Sequence, residues 1–360
     1  MECVPIGNVS GLAPPVNFTE AQKRVLKDIS NVFYNYGLPV VCLFGIVGNI
    51  LNLTILTRRK LQKSYRTVEQ AAYVCLIGLA LSDLMFCVFA FPTTFLPTGE
   101  YYKTKGFILY YGMYSTAVIN VFIMSSTWLT VTMATERYIA ICHPLNSKLF
   151  MTLSKTKLII VLVYLVSVAF NIPVLWRYQI HEVLCENRTS KVYHLKQVPL
   201  CDSNTLDHGY RVLWAIVGNF IPLILLIGFN ICICYKIHKS YKLRQKFHCE
   251  QDPKDPNNTL TITLIVIIVM FFILVAPSEI VLHIAQITKS DSDATYKAIE
   301  VVMNFMQSVN FSVNFVLYCI ISPYFRKTLR HILCCDWYNN RRDSYKFNMT
   351  DCSKQPLKGP

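Results

Sequence analysis

The residues able to do chemistry sit where polarity is costly. Glu136, Arg137 and Tyr138 stand together near the end of a long apolar run, followed by Ile139-Ala140-Ile141-Cys142-His143-Pro144-Leu145. Charge near a hydrocarbon edge is tolerated when it is paired, when it snorkels, or when it belongs to a moving part; the alternative is a helix end that stops in water. Asp83 lies in the middle of a second run, and Asn49, Ser126, Asn310 and Asn314 lie near mid-depth of theirs. A lone buried Asp needs amide and hydroxyl partners, and a sodium ion would fill the same role. These five residues read as a water and sodium site, a neutral Asp satisfied by hydrogen bonds being the alternative. A third set is Glu279 and His283, one helical turn apart after Pro277, with Glu300, Asn304 and Gln307 on a later run and Thr116, Asn120 and Ile123 on the run of Glu136. An acid inside a membrane is a functional candidate by default. The competing readings are a Glu279–His283 pair and a merely solvated Glu300. No His/Asp/Glu cluster at metal spacing and no Ser/His arrangement appears, so the chain reads as no enzyme, with no cofactor beyond that ion.

The elements that must carry these residues are apolar blocks rather than amphipathic stretches. The 360 residues are 53% hydrophobic and 16% charged, which is the signature of bilayer spans. Seven blocks are legible: 33–57, 69–96, 107–141, 155–176, 209–237, 260–287 and 296–321. Pro92 is expected to bend the end of the second, Pro222 and Pro277 to joint the fifth and sixth, and Pro323 follows the seventh. Residues 324–333 alternate apolar and basic residues as a helix on a membrane surface would. The expected domains are an outer, glycosylated tail (1–30), an all-α seven-transmembrane bundle (31–322), the amphipathic eighth helix (323–335) and a disordered cytoplasmic tail (336–360).

The net charge of +14 is distributed rather than gathered in one patch. Basic residues follow the first, fifth and seventh spans, as the positive-inside rule requires, which excludes nucleic acid as the reason and points to anionic lipid heads. An outside N-terminus and a cytoplasmic C-terminus then put the glycan sequons at Asn8, Asn17 and Asn187 outside. They put Cys334 and Cys335 inside as palmitoylation candidates. Most of the 14 cysteines fall in spans or inner segments. Of those placed outside, Cys185 and Cys201 either bridge the long loop 177–208 or stay free.

The ordered set Gly48-Asn49, Leu79-Ala80-Leu81-Ser82-Asp83-Leu84, Glu136-Arg137-Tyr138, Pro222, Pro277 and Asn314-Phe315-Val316-Leu317-Tyr318 resembles the rhodopsin-like (class A) G-protein-coupled receptors over about residues 33–335. Within that class, residues 125–145, Phe170-Asn171-Ile172-Pro173, Phe220-Ile221-Pro222 and Ser312-Val313-Asn314-Phe315 are most similar to the invertebrate FMRFamide receptor-like peptide receptors.

The resemblance implies a plasma-membrane receptor that binds an extracellular neuropeptide and signals to a heterotrimeric G protein when span 6 swings outward, with arrestin as a further partner. It implies that Glu136 holds Arg137 at rest, that Tyr138, Asn314 and Tyr318 belong to the switch, and that Leu145 meets the G protein or anchors at the interface. Gly112 stands where the class carries the cysteine that bridges to the outer loop, which favours Cys185–Cys201. Val275, Phe315 and Asn230 replace a tryptophan, a proline and a tyrosine, so Phe271 and Phe272 are expected to carry the switch packing. Ile119 stands where amine receptors carry Asp. The expected ligand is a peptide ending Arg-Phe-amide, its arginine on Glu279 or Glu300 and its amide on Asn304, Gln307 or Asn120. The alternatives are a small aromatic or amino-acid-like ligand, and a membrane carrier, although inverted repeats and mid-depth broken helices are not seen.

Overall fold

The computed structural model describes residues 19–58, 67–96, 101–144, 147, 152–184, 191–246, 265–266, 269–270, 272–275, 277 and 294–333. Its helices are α1 (Glu20–Ser30), α2 (Leu38–Leu56), α3 (Thr67–Ala90), α4 (Phe107–Cys142), α5 (Leu153–Asn171), α6 (Asn204–Ala215), α7 (Ile221–Lys246), α8 (Ala294–Ile321) and α9 (Pro323–Leu333). Five helical runs among the described residues are long and apolar enough to cross a membrane, and α8 with the sharply bent α9 brings the number to six. In hydrocarbon every backbone N–H and C=O must be satisfied within the segment, which only a helix or a closed barrel does. The hydroxyls follow the same rule: Thr127, Thr130 and Thr135 of α4 donate to the carbonyls of Ile123, Ser126 and Val131, four residues back, at 2.8–2.9 Å.

Prolines shape the helix ends. Past α3, Phe91–Phe95 tighten to a 3₁₀ turn containing Pro92, and past α5, Ile172–Trp176 do so around Pro173. Two π segments each precede a proline. Asn31–Gly37 joins α1 to α2 before Pro39, and Ile216–Phe220 joins α6 to α7 before Pro222. In each, an N–H reaches back five residues, Leu38 to Phe33 O and Ile221 to Ile216 O, because proline lacks the donor and crowds the preceding turn. The first helical run starts at Glu20, well before the expected first span, on a capping box in which Thr19 and Gln22 exchange side-chain and backbone bonds.

The core falls into three clusters. Ile55, Leu76, Leu79, Leu129, Met133, Leu317, Tyr318 and Phe325 fill the half of the bundle nearer α9. Leu38, Phe86, Cys87, Ala90 and Phe311 fill the other half, with Ile119 and Ile123 packed on them. Val275 joins Val131, Ala134 and Leu226. The end opposite α9 carries a three-stranded antiparallel sheet in the order β1 (Tyr101–Tyr102), β3 (Lys191–Gln197), β2 (Tyr178–Leu184). Within the long polar loop expected at 177–208, residues 178–184 and 191–197 are thus two paired strands, the β2–β3 hairpin.

Candidate functional site

Asp83 of α3 is completely buried. Its Oδ1 accepts from Ser126 Oγ of α4 at 2.8 Å and its Oδ2 from Asn314 Nδ2 of α8 at 2.7 Å. One carboxylate therefore ties three helices together, and hydrogen bonding is what makes a buried acid tolerable. The expected five-residue set is brought together only in part. Asn49 turns instead to Phe311 O at 2.9 Å and accepts from Asn52 at 3.2 Å, while Asn310 is buried. The Asp83 carboxylate and the Ser126 hydroxyl are hard oxygen donors of the type that suits a small cation, while Asn314 presents its amide nitrogen here.

A neighbouring network was not foreseen in the sequence. Tyr164 of α5 donates to Gly78 O at 2.8 Å and lies 2.7 Å from Ser82 Oγ, which lies 3.1 Å from Ser125 Oγ. The only signal was a tyrosine in an otherwise apolar run, and its partners are set by helix packing.

At the end of α4, Glu136 and Arg137 are 4% and 5% exposed, so the pair is not a helix end that stops in water. Glu136 Oε1 accepts from Thr156 Oγ1 at 3.0 Å, and the Cys75 thiol bonds the same carboxyl group. These bonds run to α5 and α3, while Arg137 contributes charge beside it. Tyr138 Oη lies 3.2 Å from His143 Nε2, and its ring packs on Phe229. Tyr318 is buried against Phe325 of α9, ring centroids 5.5 Å apart. Phe315 sits against Gly48, where an added Cβ would stand 2.8 Å from Phe315 Cβ, and packs edge-on to Phe325. With no proline inside it, α8 runs unbroken. Phe272 is 44% exposed, so it does not fill the switch core; Val275 meets α4 and α7 instead. Phe271 and Leu145 lie outside the described residues.

At the sheet end, Glu300, Asn304 and Gln307 line one face of α8 at i, i+4 and i+7. Gln307 is buried, and Asn304 Nδ2 donates to Tyr34 Oη at 3.4 Å. Tyr34 belongs to the π segment before Pro39, a local signal that pattern reading passed over. Thr116 and Asn120 are half-buried on α4, while Ile123 packs into the apolar cluster beside Phe311. Glu279, His283, Cys185, Cys334, Cys335 and the sequons at Asn8, Asn17 and Asn187 lie outside the described residues. Cys201 is exposed and makes no disulfide among the described residues.

The model of the 7 transmembrane receptor (rhodopsin) family matches residues 48–318. The chain belongs to this family. The receptor is therefore an all-α, multi-pass membrane protein and not an enzyme. It is similar to the FMRFamide receptor of Drosophila melanogaster, 27% identical over 337 residues; the match covers 88% of this chain and 58% of that relative's length. It is also similar to the allatostatin-A receptor of Bombyx mori, 22% identical over 340 residues, covering 92% of this chain and 88% of the relative. The sex peptide receptor of Drosophila melanogaster is 22% identical over 343 residues, covering 88% of this chain and 76% of its own.

Proposed function

We propose that the chain is a plasma-membrane neuropeptide receptor that takes an amidated, FMRFamide-like peptide at the sheet end. It passes the signal to a heterotrimeric G protein, and then to arrestin, at the α9 end. The observation that carries this reading is the buried Glu136–Arg137 pair at the α9 end of the same helix that offers Thr116 and Asn120 at the sheet end, with the Asp83 bonds to Ser126 and Asn314 between them. A packed bundle with polar groups bonded across helices has discrete arrangements, so a ligand that favours one shifts the population. Outward movement of span 6 would open the crevice in which Arg137 meets the G protein, with Tyr138, Leu145, Asn314 and Tyr318 at its edge.

In this reading the sheet end is extracellular, Asn8, Asn17 and Asn187 carry glycans, Cys185 pairs with Cys201, and Cys334 and Cys335 carry palmitate. A sodium ion at rest would be held by Asp83 and Ser126, with Asn314 turning its amide oxygen inward. The peptide's arginine would be gripped by Glu279 or Glu300, since guanidinium and carboxylate match in bidentate geometry. Its C-terminal amide would be read by Asn304, Gln307 or Asn120.

The test is a neuropeptide library, with and without C-terminal amidation, applied to cells carrying a calcium reporter. Response to Arg-Phe-amide peptides that is lost with the free acid supports the reading, and insensitivity to amidation sinks the pocket. Glu279→Gln with unchanged potency removes Glu279 from it.

A further inference from the structure

Among the described residues the sheet meets the bundle through β3 on α4 and through Arg177 at the base of β2. The two residues of β1 pair with the edge of β3, Tyr101 opposite His194 and Tyr102 opposite Tyr193, so the ladder alone cannot hold it. Tyr102 is nonetheless 7% exposed. Its hydroxyl lies over Gly112 of α4, where an added Cβ would stand 2.5 Å from Tyr102 Oη and 3.3 Å from Leu195 Cδ1 of β3. A separation of 2.5 Å is closer than real Cβ atoms approach, and a buried ring has little room to swing aside. The notch that glycine leaves is thus occupied from β1 and walled from β3. On the far side, Arg177, just before β2, bonds Asp207 of α6 at 3.1 Å and receives the Val198 N–H on its carbonyl at 2.8 Å. This hinge fixes the base of the hairpin but not its edge over α4.

We propose that Tyr102 is a positioning residue: seated in the Gly112 notch, it holds the β2–β3 hairpin over the sheet end of the bundle and so sets how long a bound peptide stays. The second half rests on the receptor reading above; the first does not. In the receptor reading a peptide that enters between the helices would pass beneath the hairpin, so loosening its edge would open the exit without removing a ligand contact. The effect falls on dissociation more than on association.

The experiment compares the full-length receptor with Gly112→Ala and with Gly112→Ala/Tyr102→Phe, which adds the methyl but removes the oxygen it strikes. Hydrogen exchange of the amides of residues 191–197 is read without any peptide. It should rise by about tenfold in Gly112→Ala and return to within about twofold in the double variant, at an unchanged melting temperature. Dissociation of a labelled peptide ending Arg-Phe-amide should follow the same order. Unchanged exchange in Gly112→Ala, or no recovery in the double variant, overturns the positioning role. Recovery of exchange with peptide dissociation constant throughout overturns the link to residence time alone. Absence of any peptide binding to the unaltered receptor counts against the ligand assignment and leaves the exchange result standing. Should Gly112→Ala fail to reach the membrane, Leu195→Ala opens the same notch by removing atoms; it should raise exchange likewise, and unchanged exchange there contradicts the proposal.

Discussion

At the centre and α9 end of the bundle, Asp83, Glu136 and Asn314 are buried and hydrogen-bonded across helices, whereas at the sheet end the contacts described between hairpin and bundle include an aromatic in a glycine notch and the mostly buried Arg177–Asp207 ion pair. The first arrangement is expensive to disturb, because each lost partner strands a buried polar group. The second is less so, because it rests on van der Waals contact and on an ion pair whose Asp207 keeps a second partner in Arg211. A molecule that must admit a ligand at one end and keep a discrete switch at the other is served by that contrast, since the elements that open come from the low-stability part of a structure.

The contrast can be broken by substitution. Asp83→Ala would strand Ser126 Oγ and Asn314 Nδ2 and should lower stability in detergent by about 2–6 kcal/mol, at about 1–3 per stranded group. Asp83→Asn, which keeps one acceptor, should cost less. A drop for Asp83→Ala no larger than that of a surface change would mean the polar core is not the rigid part. Gly48→Ala places a Cβ 2.8 Å from Phe315 Cβ and should cost about 1–3 kcal/mol by overpacking, relieved by pairing it with Phe315→Gly, which removes that carbon, and not by Phe315→Ala, which keeps it. Failure of that rescue would show that α2 and α8 do not meet through this notch. Arg177→Gln at the hinge, whose ion pair is 14% exposed on each side, should cost about 1–2 kcal/mol, held down because Asp207 keeps Arg211. Lys191→Ala, whose partner Glu182 is half exposed, should change stability by less than about 0.5 kcal/mol. A hinge that costs as much as Asp83 would erase the difference between the ends.

How much of this was written in the sequence depends on range. The spans were legible because each is apolar on every side, and the pairing of Asp83 with Ser126 and Asn314 because a buried acid has few acceptable partners. The early start at Glu20 escaped hydropathy, as α1 is charged, although Thr19-Glu20-Ala21-Gln22 is a capping-box pattern. The π segment that aims Tyr34 at Asn304 was foreshadowed by Pro39. Nothing local marks Gly112 as the seat of Tyr102, or Thr156 as the partner of Glu136, because those contacts are set by how helices and strands meet. The expectation for Phe272 failed for the same reason. An aromatic in a membrane helix faces lipid as readily as core, and only packing decides.

The most direct test of the account uses purified receptor in lipid discs with a heterotrimeric G protein, following nucleotide release on addition of an Arg-Phe-amide peptide. The unaltered receptor should accelerate release in the presence of peptide. Arg137→Ala should bind the same peptide with unchanged affinity yet leave release at its basal rate. An Arg137→Ala receptor that still accelerates release would contradict the assignment of the buried Glu136–Arg137 pair as the switch.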